Sequence, residues 1–342
     1  MLCYFISKKD FKILNVVSAN SYKAKHNLNL GGKTTITIAE NPNACDEDFV
    51  LLKEGKEIKF QGIIEKIDHA DDDISYQISC LEIEQIFNRE ILLTDISIIK
   101  GTGIEDFVKR TIEKYFSDSG DPFSDMSYME CNALTHTKIS AKPSSDEIYN
   151  FKTYLGNIRE QYGIFLDFEF TKEKLIVSIH KKEQSAMQID TTITDIVSCK
   201  ETYKIKALSK LSVLWRNTLT QAETMRYFYL HPNRTVSEKN ENRVDGTIQT
   251  VVIEAETEEE MIQEAKNEFK SNSYSHSIEA DIEINSKLYP KNELYAGHEV
   301  TIKTAAAGIQ ESIISEVSFE DNANVISVKF GILKVKLTEK LR

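Results

Sequence analysis

The sequence predicts an α+β protein that is mostly β, with two similar antiparallel β-barrel domains carrying inserted α+β modules. Three observations predict this. Most segments alternate apolar and polar residues with period two. Three short stretches switch to helical spacing behind a capping signature. Two stretches more than half the chain apart read as one piece of structure. The first runs Gly55 to Phe60, Gly62 to Ile67, an acidic turn at Asp71-Asp72-Asp73, and Ile74 to Ile78. The second runs Gly297 to Ile302, Ser312 to Val317, a turn at Asp321 to Asn324, and Val325 to Val328. Each is a Gly-led strand, a strand with an Ile-Ile pair, a polar turn and a closing strand. Such a separation points to a duplicated β domain, since a solenoid repeats at much shorter spacing. All half-buried meanders share alternation and turn chemistry, so superposition is the test. Gly55 is expected on Gly297, Ile63 on Ile313 and Ile67 on Val317, with Ala305 to Gly308 forming a longer hairpin loop. Parity places Ile63 with Ile67, and Ile313 with Val317, on one inward face.

In chain order, residues 1–95 read as the first barrel. Met1 to Lys9 is a strand, Gly31-Gly32 a tight turn, Thr34 to Ile38 an alternating strand, and Leu81 to Phe87 a short apolar helix. Residues 96–190 read as an inserted α+β domain. Thr102-x-x-Glu105 caps a helix with Ile104, Phe107, Val108, Ile112 and Tyr115 on one face. Ser117 to Pro122 is a loop by composition. Ser144-x-x-Glu147 opens a second helix with Ile148, Phe151, Leu155 and Ile158 inward, ended near Gly163. Two alternating strands follow, through Ile164 to Phe170 and Leu175 to Ile179. Residues 191–222 and 283–342 read as the second barrel, and 223–282 as an insertion with one helix and β-strands. Its helix starts at Thr257-x-x-Glu260 and buries Met261, Ile262, Ala265 and Phe269, while Glu258-Glu259-Glu260 suit the helix dipole. Asn233 to Gly246 offers almost nothing to a core.

Composition bounds the function. The 342 residues fit two or three domains, and a hydrophobic fraction of 41% fills ordinary cores. No apolar run is long enough to span a membrane, and the N-terminus lacks a signal-peptide pattern. Cys3, Cys45, Cys80, Cys131 and Cys199 are odd in number and scattered, against a disulfide framework or a zinc site and in keeping with a reducing cytoplasm. A net charge of −12 without a basic stripe argues against specific nucleic-acid binding. An ordinary solvated acidic surface accounts for this charge, and an acidic channel wall, which would let DNA pass without sticking, is the further reading it allows.

The search for chemistry returns no catalytic, cofactor-binding or metal site. Asp71-Asp72-Asp73 lacks the Gly and closing Glu of an EF-hand loop, and Gly101-Thr102-Gly103 lacks the rest of a phosphate loop. His26, His69, His136, His180, His231, His276 and His298 show no ligand spacing. A pair of glycosidase carboxylates is set in space and is not legible in sequence. Trp215 and Tyr227-Phe228-Tyr229 could stack on a sugar, although strand aromatics usually pack in cores or across strands.

The order of β module, inserted α+β module, second β module interrupted by a helix, and closing run Ile278 to Phe330 resembles the tail-hub proteins of tailed bacteriophages. It is similar above all to the N-terminal structural region of prophage tail-associated proteins from low-GC Gram-positive hosts. Leu51 to Phe87 and Ile278 to Phe330 fit best, and no catalytic signature is matched. The resemblance implies a non-enzymatic structural hub of a tail tip or baseplate. Three chains would present six similar barrels to a six-fold tail tube and line the DNA exit channel. Implied partners are two further copies in a homotrimer, distal tail or tail-tube proteins, the tape measure, tip proteins, and passing DNA without specific binding. The implied location is the virion tail, assembled in the bacterial cytoplasm. Many relatives continue into a lysis or receptor-binding domain; this sequence stops at Leu341-Arg342, so that activity is expected elsewhere or not at all. The competing readings are a cell-wall peptidoglycan hydrolase, marked by a deep cleft with two facing carboxylates, and a carbohydrate-binding β protein, marked by an exposed aromatic shelf near Trp215.

Overall fold

A computed structural model of the chain describes residues 1–69, 74–92, 103–137, 148–183, 185–203, 207–232, 235–272, 274 and 276–331. The protein is mostly β, with large antiparallel sheets. It divides into two compact units, Met1–Ser185 with Glu283–His298 and Glu316–Ser327, and Ala186–Ile282 with Glu299–Ser315 and Val328–Arg342.

In the first unit, β1 (Leu2–Ile6), β2 (Ile13–Asn27), β3 (Lys33–Ile38), β4 (Phe49–Glu54), β5 (Glu57–Asp68) and β6 (Tyr76–Glu82) pair in the order β1-β4-β5-β6-β3-β2. Because β1 also pairs with β2, the six strands close into an antiparallel barrel and leave no free edge along that seam. Alternating residues fill its interior: Cys3 and Phe5, Ile36 and Ile38, Val50 and Leu52, and Ile78 and Cys80 are all fully buried. Burial alone pushes the Cys3 thiol up to about 12. The β2–β3 turn places Leu30, not a glycine, in the left-handed region at φ 56°. Gly32 has a different reason to be glycine, since a Cβ there would lie 2.1 Å from the Lys25 carbonyl oxygen.

After a single 3₁₀ turn at Ile83–Phe87, shorter than the expected helix, come β7 (Glu90–Leu92), α1 (Ile104–Ile112), β8 (Met129–Ala133), β9 (Ile148–Asn150), α2 (Phe151–Tyr162), β10 (Ile164–Phe170) and β11 (Leu175–Lys181). They form a three-stranded sheet, β10-β11-β8, and a β7–β9 ladder. One core cluster joins Phe107, Val108 and Ile112 of α1, Phe151, Leu155 and Ile158 of α2, and Ile63 and Phe49 from the outside of the barrel. Two capping expectations change. Residue 102 lies outside the described residues, and α1 starts at Gly103, whose N–H donates to Asp106 rather than to Glu105. Residues 144–147 also lie outside them. Helix α2 begins at Phe151, six residues later than a cap at Ser144 would set, and is capped by Asn150 Oδ1 accepting from the Thr153 N–H, so Ile148 is an exposed strand residue. Local Asn capping and pairing with β7 outweigh the helical spacing there. Gly163 ends α2 at φ 67°, as expected.

The remaining elements are β12 (Met187–Asp190), β13 (Ile196–Thr202), β14 (Leu208–Asn217), β15 (Glu223–Leu230), β16 (Val236–Ser237), β17 (Thr247–Ala255), α3 (Glu258–Asn272), β18 (Ser277–Glu283), β19 (Glu299–Thr304), β20 (Gly308–Glu320) and β21 (Val325–Gly331). They include the path β12-β19-β20-β21-β18-β13. Its β19-β20-β21-β18-β13 portion repeats the β4-β5-β6-β3-β2 order strand for strand. The difference lies at the end of the path: β1 runs antiparallel to β4, whereas β12 runs parallel to β19 and leads through residues 191–195 into β13. Between β13 and β18, where the first barrel has only its β2–β3 turn, stands the four-stranded sheet β16-β15-β14-β17 with α3. Leu208–Asn217 therefore pairs inside the insertion, while Ser277–Glu283, read from sequence as part of it, pairs with β13.

The matching strand order moves the register of the repeat. Gly55 closes the β4–β5 hairpin at φ 59°, and its topological counterpart is Gly308, which closes β19–β20 at φ 69°. Gly297 instead precedes β19. The expected hairpin at Ala305 to Gly308 is present. The parity argument fails because a bulge between Ile64 and Lys66 breaks alternation in β5. Ile63 and Ile64 are both buried, on opposite faces, and Ile67 is only half-buried. In β20 every residue from Ile313 to Val317 is buried, so alternation does not assign a face there either.

Candidate functional site

A cleft of about 250 Å³ opens within the first unit and gathers most of its buried charge. Glu84 sits on the 3₁₀ turn and Arg159 on the last turn of α2. Arg159 Nη2 donates to Glu84 Oε1 at 2.5 Å, with side chains 10% and 9% exposed. Burial pushes the Glu84 carboxyl up, and the Arg159 charge only partly offsets it. The guanidinium also lies 5.1 Å from the centre of the Phe165 ring. Glu82, at the end of β6, accepts from the Gly32 N–H at 2.9 Å and the Asn27 N–H at 3.3 Å, and lies 3.3 Å from His26 Nδ1. It thereby ties down the β2–β3 turn. Lys182 follows β11, its backbone N–H bonded to the Gly163 carbonyl at 2.9 Å. Its ammonium stands 3.5 Å from the centre of the Tyr295 ring and 5.7 Å from that of Phe165. Burial lowers the Lys182 pKa and raises that of Tyr295 to about 12.

Two buried carboxylates thus share a cleft with the exposed Asp167, which is bonded to His180, but their oxygens are engaged. Glu82 is taken by backbone donors and His26, and Glu84 by Arg159, so the pair matches a structural brace better than a free acid and base. The aromatic segment near Trp215 is likewise divided. Trp215 Nε1 donates to the Ala255 carbonyl at 3.1 Å, Phe228 is buried against α3's core, and Tyr227 alone of that run is well exposed, under Lys210 at 4.7 Å. Among the described residues no three His, Cys, Asp or Glu side chains are grouped to hold a metal. Asp71-Asp72-Asp73 and Gly101-Thr102 lie outside them. No described helix is long and apolar enough to cross a membrane.

Glu82, Glu84, Arg159, Lys182 and Tyr295, which converge on the cleft, were not singled out from sequence, and His26 was weighed there only as a metal ligand. Glu84 offered one signal, a carboxylate within the apolar run Leu81 to Phe87. Arg159, Lys182 and Tyr295 offered none, because they meet only after folding.

Closed barrel, inserted α+β module and second barrel path define a class at the level of fold: the chain has the fold of phage tail proteins. No protein-family profile and no curated protein matches the sequence. Among solved structures it is similar to a tail protein of Neisseria meningitidis MC58, at 10% identity, covering 96% of each chain, with a TM-score of 0.58. It is similar to prophage tail protein gp18 of Listeria monocytogenes EGD-e, at 10% identity over 100% of this chain and 97% of that one, with a TM-score of 0.57. It is also similar to the 43 kDa tail protein of prophage MuSo2 from Shewanella oneidensis, at 13% identity over 97% and 98%, with a TM-score of 0.53.

Proposed function

We propose that the chain is a structural hub of a phage tail tip or baseplate, in which three copies set six barrels against a six-fold tail tube. The observation that carries this reading is the repeated strand order, β4-β5-β6-β3-β2 in one barrel and β19-β20-β21-β18-β13 in the other. Two near-equivalent barrels per chain let a three-fold ring offer six-fold contacts through a heterologous, closing interface. The whole-length likeness to phage tail proteins supports the same role. In this reading the domains are two barrels with their insertions, the location is the virion tail, and the neighbours are tail-tube, tape-measure and tip proteins. The net charge of −12 suits a channel through which DNA passes without binding. The role is non-enzymatic, since Glu82 and Glu84 are both committed to structure.

The test is imaging of tips reconstituted from this chain and its tail-tube protein. Three chains around six barrel densities is the expected result. A two-fold or five-fold hub, or failure to associate with the tube under conditions where authentic tips form, would overturn the proposal.

A further inference from the structure

We infer that the cleft of the first unit binds the carboxylate end of an N-acyl amino acid with an apolar side chain, the chemistry of a polypeptide C-terminus. Three observations converge. The first is a cation without a direct ion pair among the described residues. Among the described charges lining the cleft, Arg159 is paired with Glu84, Lys291 lies 3.5 Å from Glu57, and Asp167 is bonded to His180 at 2.7 Å. Lys182 lies over the Phe165 and Tyr295 rings with no described carboxylate within ion-pair distance, and Asp167 and Glu293 attract its charge only from further away. Held over Tyr295 and partly desolvated, its ammonium is positioned to receive an anion and gains more from one than a solvated lysine does.

The second observation is an orphan acceptor. The side-chain amide oxygen of Gln61, also lining the cleft, is buried without a hydrogen-bond partner. An N–H donor on the ligand would satisfy it, and leaving it unmet is unfavourable. The third is the wall itself. Phe165 and Tyr295 meet edge to face with ring centres 5.6 Å apart, Tyr295 stacks on His298 at 4.8 Å, and Phe319 lies beneath Lys291 at 4.4 Å. About 250 Å³ between such rings is below the volume of drug-sized sites and suits one side chain with its backbone groups. Anion, N–H donor and one apolar side chain together describe the last residue of a chain. Asp167 and Lys182 at the rim keep an approach from solvent.

The experiment is calorimetric titration of the intact protein with N-acetyl-L-phenylalanine, its carboxamide, and 3-phenylpropionate. Saturable binding of the acid, weakened about tenfold or more in the carboxamide, is expected from loss of one charge-assisted contact. Lys182→Met should abolish the difference between acid and amide, while Lys181→Met, altering an exposed neighbour, should retain it. Gln61→Leu should weaken N-acetyl-L-phenylalanine but leave 3-phenylpropionate, which lacks the N–H, unchanged. A merely structural Gln61 would shift both ligands or neither. Equal binding of acid and amide to the unaltered protein, or no saturable binding of either, overturns the inference without relying on a variant that must fold. The tripeptide Ala-Ala-Phe binding more tightly than N-acetyl-L-phenylalanine would assign the site to a chain end, and weaker binding of the tripeptide to a free small molecule.

Discussion

Replacing Arg159 by Met should destabilise the first unit by about 3–5 kcal/mol at neutral pH, the range for stripping one partner from a buried ion pair. The buried range applies because the Arg159 and Glu84 side chains are only 10% and 9% exposed; an exposed pair would be worth about 0.2–1 kcal/mol. The loss should depend on pH. Glu84 is already pushed up by burial, and without the guanidinium that offset it the folded-state pKa rises further above the unfolded value. A carboxyl raised in this way contributes stability that is complete below its unfolded pKa, about 4.3, and lost as pH rises through the folded pKa. The penalty of Arg159→Met should therefore be smaller near pH 4 than at pH 7. Urea unfolding at both pH values, followed by far-UV circular dichroism, measures it. Adding Glu84→Met should restore most of the loss at pH 7, since an apolar pair of similar size leaves no uncompensated charge. A penalty below about 1 kcal/mol that is equal at both pH values would refute the reasoning and place the pair effectively in water.

Glu105 gives the opposite pH dependence. Burial pushes its carboxyl up, but bonds from the Thr137 N–H at 2.7 Å and from the Thr137 and Thr135 hydroxyls outweigh this and hold it below the usual range. Its contribution is present above the unfolded pKa and lost as pH falls through the folded one, so Glu105→Gln should cost about 1.5–3 kcal/mol at pH 7 and flatten the acid limb of a stability profile. Ile314→Ala, at a fully buried position of β20, should cost about 2–5 kcal/mol in urea unfolding. The half-buried Ile67→Ala should cost clearly less, and equal losses would contradict the β5 bulge. The purified protein should release no soluble fragments from host peptidoglycan; release that disappears on Glu82→Gln or Glu84→Gln would establish a hydrolase instead.

Local patterning determined most of the strands and helices, the exceptions being Ile148–Asn150 and residues 81–82, expected as helix and found as strand. The stripe Ile104, Phe107, Val108, Ile112 is buried along α1, Gly163 ends α2, and Met261, Ala265 and Phe269 are buried along α3, because a 3.6-residue period or a left-handed glycine is written in a few adjacent residues. The existence of a duplicated meander was legible for the same reason. Its register was not. Turn identity and a single bulge decide which glycine matches which, so Gly55 pairs in topology with Gly308 and Ile67 leaves the face that parity assigned it. The pairing partners of Leu208–Asn217 and Ser277–Glu283 were also beyond the sequence, since any alternating strand is compatible with several neighbours. The cleft depended wholly on tertiary structure: Glu84, Arg159, Lys182 and Tyr295 come from a 3₁₀ turn, a helix, a strand end and a distant loop. Burial and mutual proximity are properties of the folded chain, and these two turn ordinary charged residues into a buried pair and a poised cation.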